Sequence, residues 1–187
     1  MSHWQEIARF GRKLVESGLT SSRFGNISAR MDDIIEITCT GSMLDELDRD
    51  QIIEVDLHGP CPRDAVASSE TCVHRAIYLQ AGAQAIIHTH SPYAVALSLV
   101  LESSVEPIDG EGVRFLGAMP IVEGGFGSGE LARNASLALA GHNACIARGH
   151  GTFAVGKTLA EAYTVACMAE HSSQVLYLAQ MWRRSSH

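Results

Sequence analysis

The 187-residue chain is 46% hydrophobic, enough to bury one sizeable core, and sets 14 basic against 21 acidic residues for a net charge of −7. That acidic balance, with no Lys/Arg run, speaks against nucleic acid and anionic membrane as partners, and no stretch is long and apolar enough to span a bilayer. The opening "MSHWQEIARFGRKLVESG" interleaves charge with apolar residues, unlike a signal peptide, and the five scattered cysteines lack paired spacing, so a cytoplasmic protein with reduced thiols is expected.

Trp4, Ile7, Ala8, Gly11, Leu14 and Val15 recur at helical spacing over residues 4 to 17, and Gly18 is a natural stop. "GNISARMDD" and "IIEITCTG" read as two short strands turning at Asp32-Asp33, and "QIIEVDL" as a third before the turn "HGPCPRD". Ser68 or Ser69 then caps a helix running to about Gln80, with Glu70 in its first turn. "AIIHTHSPYA" follows: a buried strand from Ala85, then Ser91 as N-cap and Pro92 as first residue of a helix to about Leu101.

The stretch "ESSVEPIDGEGVRFLGAMPIVEGGFGSG" suggests loops with one or two strands, and Ser128 caps "GELARNASLALAG", which closes at Gly141. "NACIARG" and "GTFAVG" are strand-like and flank Gly149-His150-Gly151. Thr158 and Glu161 form a capping box before a long C-terminal helix through Ala162, Val165, Ala166, Ala169, Val175, Leu176 and Ala179. Helices at both ends and between hairpin-like strand pairs imply one domain over residues 1 to 187. Its class is α/β, a three-layer α/β/α arrangement around a predominantly antiparallel sheet.

Strand periodicity sends His88 and His90 to one face, roughly 7 Å apart at the Cα atoms. That spacing suits a shared metal ion, although two surface histidines near a loop would look the same. His150 ends a second apolar strand, and strand ends of one sheet converge on one edge. Three imidazoles there can leave an open coordination position, as a catalytic zinc site requires. Glu70, at a helix start just before the histidine strand, is a candidate ligand or proton shuttle, or an ordinary first-turn carboxylate. Gly25-Asn26, Thr40-Gly41 and Ser68-Ser69 are small polar pairs at element junctions, suited to cradling a phosphate without a basic patch. "GGFGSG" at residues 124 to 129 lacks the context of a phosphate loop and reads as a loop and helix cap.

"GNIS", "TGS", "SSE", "HTHS" and "RGHG", in that order and over nearly the whole chain, resemble the class II aldolase and adducin head family, most closely its L-fuculose-1-phosphate aldolase branch. The resemblance implies a homotetramer with sites at subunit interfaces. It implies Zn2+ held by His88, His90 and His150, with Glu70 as acid/base and resting-state ligand. It also implies a small phosphorylated sugar as substrate, its phosphate held by Gly25, Asn26, Thr40, Gly41, Ser68 and Ser69. The chemistry is coherent: breaking a C–C bond beside a hydroxyl leaves an enediolate whose charge needs a Lewis acid, and the only two lysines, Lys13 and Lys157, read as solvated.

Arg23-Phe24 replaces small residues of that branch, and "PIDGEG" puts Asp109 near the place of a tyrosine supplied by the neighbouring subunit. Nor does the tail "QMWRRSSH" carry a tyrosine. Methylthioribulose-phosphate dehydratases, sugar-phosphate 4-epimerases and a non-catalytic adducin-like module remain rival readings. Glu70 speaks against the epimerases, which typically carry Asp there, and the retained histidines against the module. The remaining histidines (His3, His58, His74, His142, His171 and His187) read as structural or surface residues; His74, one helical turn after Glu70 on the same helix face, is open to two readings, orienting the glutamate or mere packing.

Overall fold

A computed structural model describes residues 3–185. Eight strands form one sheet: β1 (Asn26–Met31), β2 (Ile34–Thr38), β3 (Ile52–Asp56), β4 (Ala85–Thr89), β5 (Ser104–Val105), β6 (Met119–Val122), β7 (Ala144–Ala147) and β8 (Gly151–Gly156). Their spatial order is β3-β2-β1-β4-β8-β7-β6-β5. Every pairing is antiparallel except β6 with β7, so the sheet is mixed rather than purely antiparallel.

Five α-helices cover the sheet: α1 (His3–Glu16), α2 (Thr71–Ala81), α3 (Pro92–Ser98), α4 (Gly129–Leu139) and α5 (Leu159–Ser185). Side-chain alternation splits the core in two. Ile27, Ile87 and Ala154 face one cluster with Ile7, Phe10, Leu14, Leu97, Val165 and Ala169, under α1, α3 and α5. Ile35, Ile37, Ile86 and Phe153 face the other with Val73, Ile77, Leu131 and Ala135, under α2 and α4. These are the three layers that the strand and helix patterns predict, and no helix among the described residues is long and apolar enough to cross a membrane.

Two helix starts differ from the sequence reading. Glu70 is the N-cap residue of α2 rather than a first-turn residue, and its side chain makes no capping bond. Ser68 Oγ instead accepts from the Glu70 N–H at 3.3 Å. The carboxylate is therefore free to turn away from its own helix. At α3, Ser91 occupies the N-cap position without capping; its hydroxyl meets Thr89 Oγ1 at 2.7 Å. Glu170 of α5 caps α3 from a distance, accepting from the Tyr93 and Ala94 N–H groups at 2.9 and 3.0 Å. α3 also stops at Ser98, three residues short of expectation. Ser128 does cap α4, accepting from Leu131 N–H at 3.1 Å. Thr158 likewise accepts from Glu161 N–H at 3.1 Å.

Candidate metal centre and phosphate cradle

Asn26 of β1 lies opposite His88 of β4, and His88 lies opposite Phe153 of β8, so one row across three central strands carries an amide, an imidazole and an aromatic ring. His88 stacks on Phe153 with ring centroids 4.2 Å apart and meets the Thr152 carbonyl oxygen through Nδ1 at 3.1 Å, which aims Nε2 away from the core. His90 follows just past the strand end. His150 comes from the β7–β8 turn, which Arg148 ties down through the carbonyls of Ser98, Leu101 and Glu102, while Gly149 N–H donates to Ser98 Oγ at 2.9 Å. Ligand-capable atoms of the three histidines all lie within 4.8 Å of one another.

Glu70 reaches this cluster from the α2 terminus. Its Oε2 lies 3.2 Å from His88 Nε2, and its Oε1 lies 3.8 Å from His150 Nε2. The Asn26 side-chain amide donates to Oε2 at 3.0 Å, while Asn26 Oδ1 meets His74 Nε2 at 2.6 Å. His74 Nδ1 meets Ser28 Oγ at 2.7 Å, and Ser28 Oγ meets the Tyr78 hydroxyl at 2.6 Å.

Burial holds the imidazoles in their neutral form. His150 is pushed down to about 3 by burial, then by neighbouring His88, against a counter-pull from Glu70. His88 is held well below its ordinary value, again chiefly by burial and then by His90, and burial lowers His90 too. Neutral imidazole is the form that ligates a metal. His88 and His150 bring their Nε2 atoms to 3.2 Å, and Glu70 Oε1 is buried with no hydrogen-bond partner. Three nitrogen donors and an orphaned carboxylate oxygen are a donor set that fits a divalent first-row cation.

The cluster opens onto a cavity of about 460 Å³ whose lining includes all six small residues singled out in the sequence: Gly25, Asn26, Thr40, Gly41, Ser68 and Ser69. Gly25, at φ +84°, packs so closely that a Cβ there would stand 2.4 Å from the His88 carbonyl oxygen. A Cβ on Gly127 (φ +59°) would likewise stand 2.4 Å from the Ser69 carbonyl oxygen, so its absence lets the 124–128 loop lie against the start of α2. Arg23 lines the same cavity and is exposed, the one guanidinium there.

Sequence reasoning missed the cavity's aromatic walls. Phe24 stacks on His90 at 5.4 Å and Phe126 sits edge-on to His150 at 4.0 Å, yet they are 57% and 73% exposed. The signal was present in both cases, as a bulky residue beside Gly25 and an aromatic inside a glycine-rich loop. Asp109 is not brought into this chain's cavity; it accepts from Gly112 N–H at 2.8 Å. His3, His58 and His142 are exposed, near Glu36, Asp33 and the Ala138 carbonyl respectively, and His171 is exposed as well; His187 lies outside the described residues.

The arrangement coincides with a known family. Residues 5–177 match the Class II Aldolase and Adducin N-terminal domain, and the chain belongs to that family. Among solved structures, it is similar to L-fuculose-1-phosphate aldolase from Thermus thermophilus. The TM-score is 0.91 at 36% identity, covering 96% of this chain and 95% of that one. It is also 30% identical over 179 residues to 5-methylthioribulose-1-phosphate/5-deoxyribulose-1-phosphate aldolase of Rhodospirillum rubrum, covering 92% of this chain and 76% of that protein. With L-fuculose phosphate aldolase of Methanococcus maripaludis, identity is 33% over 156 residues, 82% of this chain and 84% of that protein. A methylthioribulose-1-phosphate dehydratase and 3-oxo-tetronate 4-phosphate decarboxylases are more partial or more distant relatives.

Proposed function

We propose that the protein is a zinc-dependent aldolase that reversibly cleaves a ketose 1-phosphate, of the L-fuculose 1-phosphate type, to dihydroxyacetone phosphate and a short aldehyde such as lactaldehyde. One observation carries this reading: two buried imidazoles, a half-buried third and an unpartnered Glu70 oxygen meet beside a cavity lined by small polar residues. His88, His90 and His150 would hold the cation, with Glu70 as a fourth ligand before substrate arrives. Bound there, zinc supplies a Lewis acid for the substrate's carbonyl and hydroxyl oxygens.

The chain's own groups do the rest. Gly25, Thr40, Gly41, Ser68, Ser69 and the Asn26 N–H not spent on Glu70 hold the phosphate, helped by the positive end of α2 and by Arg23. When the C–C bond breaks, the electron pair stays with the carbon beside the carbonyl. Glu70 takes up the proton that the neighbouring hydroxyl gives up as it becomes the aldehyde oxygen and delivers it to that carbon, and in the synthetic direction the same transfer runs in reverse. Phe24 and Phe126 shield the reacting carbons from water. Fuculose phosphate aldolases among the relatives favour the deoxysugar; the scattered free cysteines favour the cytoplasm, and the resemblance carried by the sequence motifs favours a homotetramer.

The test is to incubate zinc-loaded protein with L-fuculose 1-phosphate and follow dihydroxyacetone phosphate. Cleavage that chelation abolishes and zinc restores is the expected result. A water-loss product without cleavage, or turnover that survives full chelation, overturns the proposal.

A further inference from the structure

Ser28, His74 and Tyr78 are buried polar side chains that touch no part of the cavity, yet they form an unbroken chain ending on Glu70. Such a row deep in an α/β layer is costly unless every member is satisfied. This one is satisfied in only one sense. Ionised, Glu70 can only accept, so Asn26 must present its Nδ2 to Oε2, and Asn26 Oδ1 must then accept a hydrogen bond from His74 Nε2–H. That fixes the neutral His74 tautomer, since its Nδ1 is left to accept from the Ser28 hydroxyl, and Ser28 in turn accepts from Tyr78. Were the imidazole proton on Nδ1, the Asn26 amide would turn over and set an oxygen against the carboxylate.

We infer that His74 is a positioning residue for Glu70, acting through the side-chain amide of Asn26. The inference rests on the reading of Glu70 as the proton-transfer group. Asn26 draws Oε2 to one side at 3.0 Å, which leaves Oε1 as the carboxylate oxygen with no partner. The directional row thus selects which oxygen of Glu70 stays free to exchange a proton with substrate. Its far end is anchored in packing: Tyr78 is 1% exposed, and His74 meets the edge of Phe153, the ring on which His88 stacks.

Two measurements test this separately from the aldolase reading. In zinc-loaded protein labelled with 15N in its histidines, the nitrogen shifts of His74 should report a neutral ring protonated on Nε2. The Nδ1–H form, or a mixture, overturns the inference and leaves the aldolase reading standing. A wild-type protein that cleaves no ketose phosphate does the reverse.

In kinetics, His74→Phe should lower kcat by about 10- to 100-fold with KM and zinc content nearly unchanged, the scale seen when partners behind a reacting group are removed. His74→Gln, whose amide can still donate to Asn26, should recover much of that loss. If His74 acts through Asn26, the double variant His74→Phe/Asn26→Ala should be no slower than Asn26→Ala alone. Multiplying losses, or no rescue by Gln, overturn the inference. Should His74→Phe fail to fold, Ser28→Ala serves: His74 should stay protonated on Nε2 through Asn26 but lose its anchor at Nδ1, lowering kcat with KM nearly unchanged, and either full activity or an Nδ1–H ring overturns the inference.

Discussion

Beneath α1, α3 and α5 the central strands present Ile27, Ile87 and Ala154, whereas the alternate positions of the same strands, beneath α2 and α4, are Asn26, Ser28, His88 and Phe153. The first face contributes through apolar area removed from water. The second gives up some of that area near the candidate metal centre for a hydrogen-bonded row, and recovers it elsewhere with Ile35, Ile77 and Leu131. A one-residue step along a strand thus separates what holds the molecule together from what it does. The contrast can be broken from either side.

The largest effect should come from the polar face. Glu70→Gln keeps the volume but cannot take a proton, so turnover should fall about 10²- to 10⁴-fold while bound zinc, measured by atomic emission, persists through the three histidines. A Gln variant near wild-type activity would move the proton transfer elsewhere. On the apolar face, Ile87→Ala, one residue from His88, should cost about 2–5 kcal/mol in chemical denaturation because Ile87 is fully buried. Activity per folded molecule should change little; a collapse of kcat without loss of stability would erase the division between the faces.

Acid reads the same contrast in the metal-free wild type. His74 and His150 are held down to about 3, chiefly by burial, and His88 and His90 are lowered for the same first reason. The unfolded chain takes up those protons from its ordinary value of about 6.5 downward. Stability should therefore be complete above about pH 6.5 and decline as pH falls toward about 3, by up to about 1.4 kcal/mol per pH unit for each imidazole. Urea midpoints that stay flat from pH 6.5 to 4.5 would mean these rings ionise inside the fold. The smallest effect belongs to the remote cap: Glu170→Ala should cost about 0.5–2 kcal/mol by freeing the Tyr93 and Ala94 N–H groups, visible as a lower thermal midpoint with turnover intact.

Sequence periodicity was sufficient for the layers and for the gathering of residues 88, 90 and 150, because strand ends converge by geometry whatever the intervening loops do. It also marked Glu70, through the small residues before α2. It did not show that Glu70 is the N-cap, because Ser68, Ser69 and Glu70 are all plausible boundary residues and the choice depends on Asn26 and His88 across the layer. The Glu170 cap was illegible for a related reason: Ser91 is a good local candidate, and its competitor lies 79 positions away on another helix. The parallel β6–β7 pairing and the π-turn at Gly112–Leu116 sit in a stretch with no clear hydrophobic period.

The tight fit of Gly25 against the His88 carbonyl has a consequence for how this enzyme's appetite can be altered. The cavity residues proposed to grip an anion and the strand proposed to seat a cation lean on each other with no room for even a methyl group. Remodelling at position 25 would shift both at once. New substrates are better sought by editing Arg23, Phe24 and Phe126, exposed side chains lining the cavity, with Gly127 and the α4 cap Ser128 left in place.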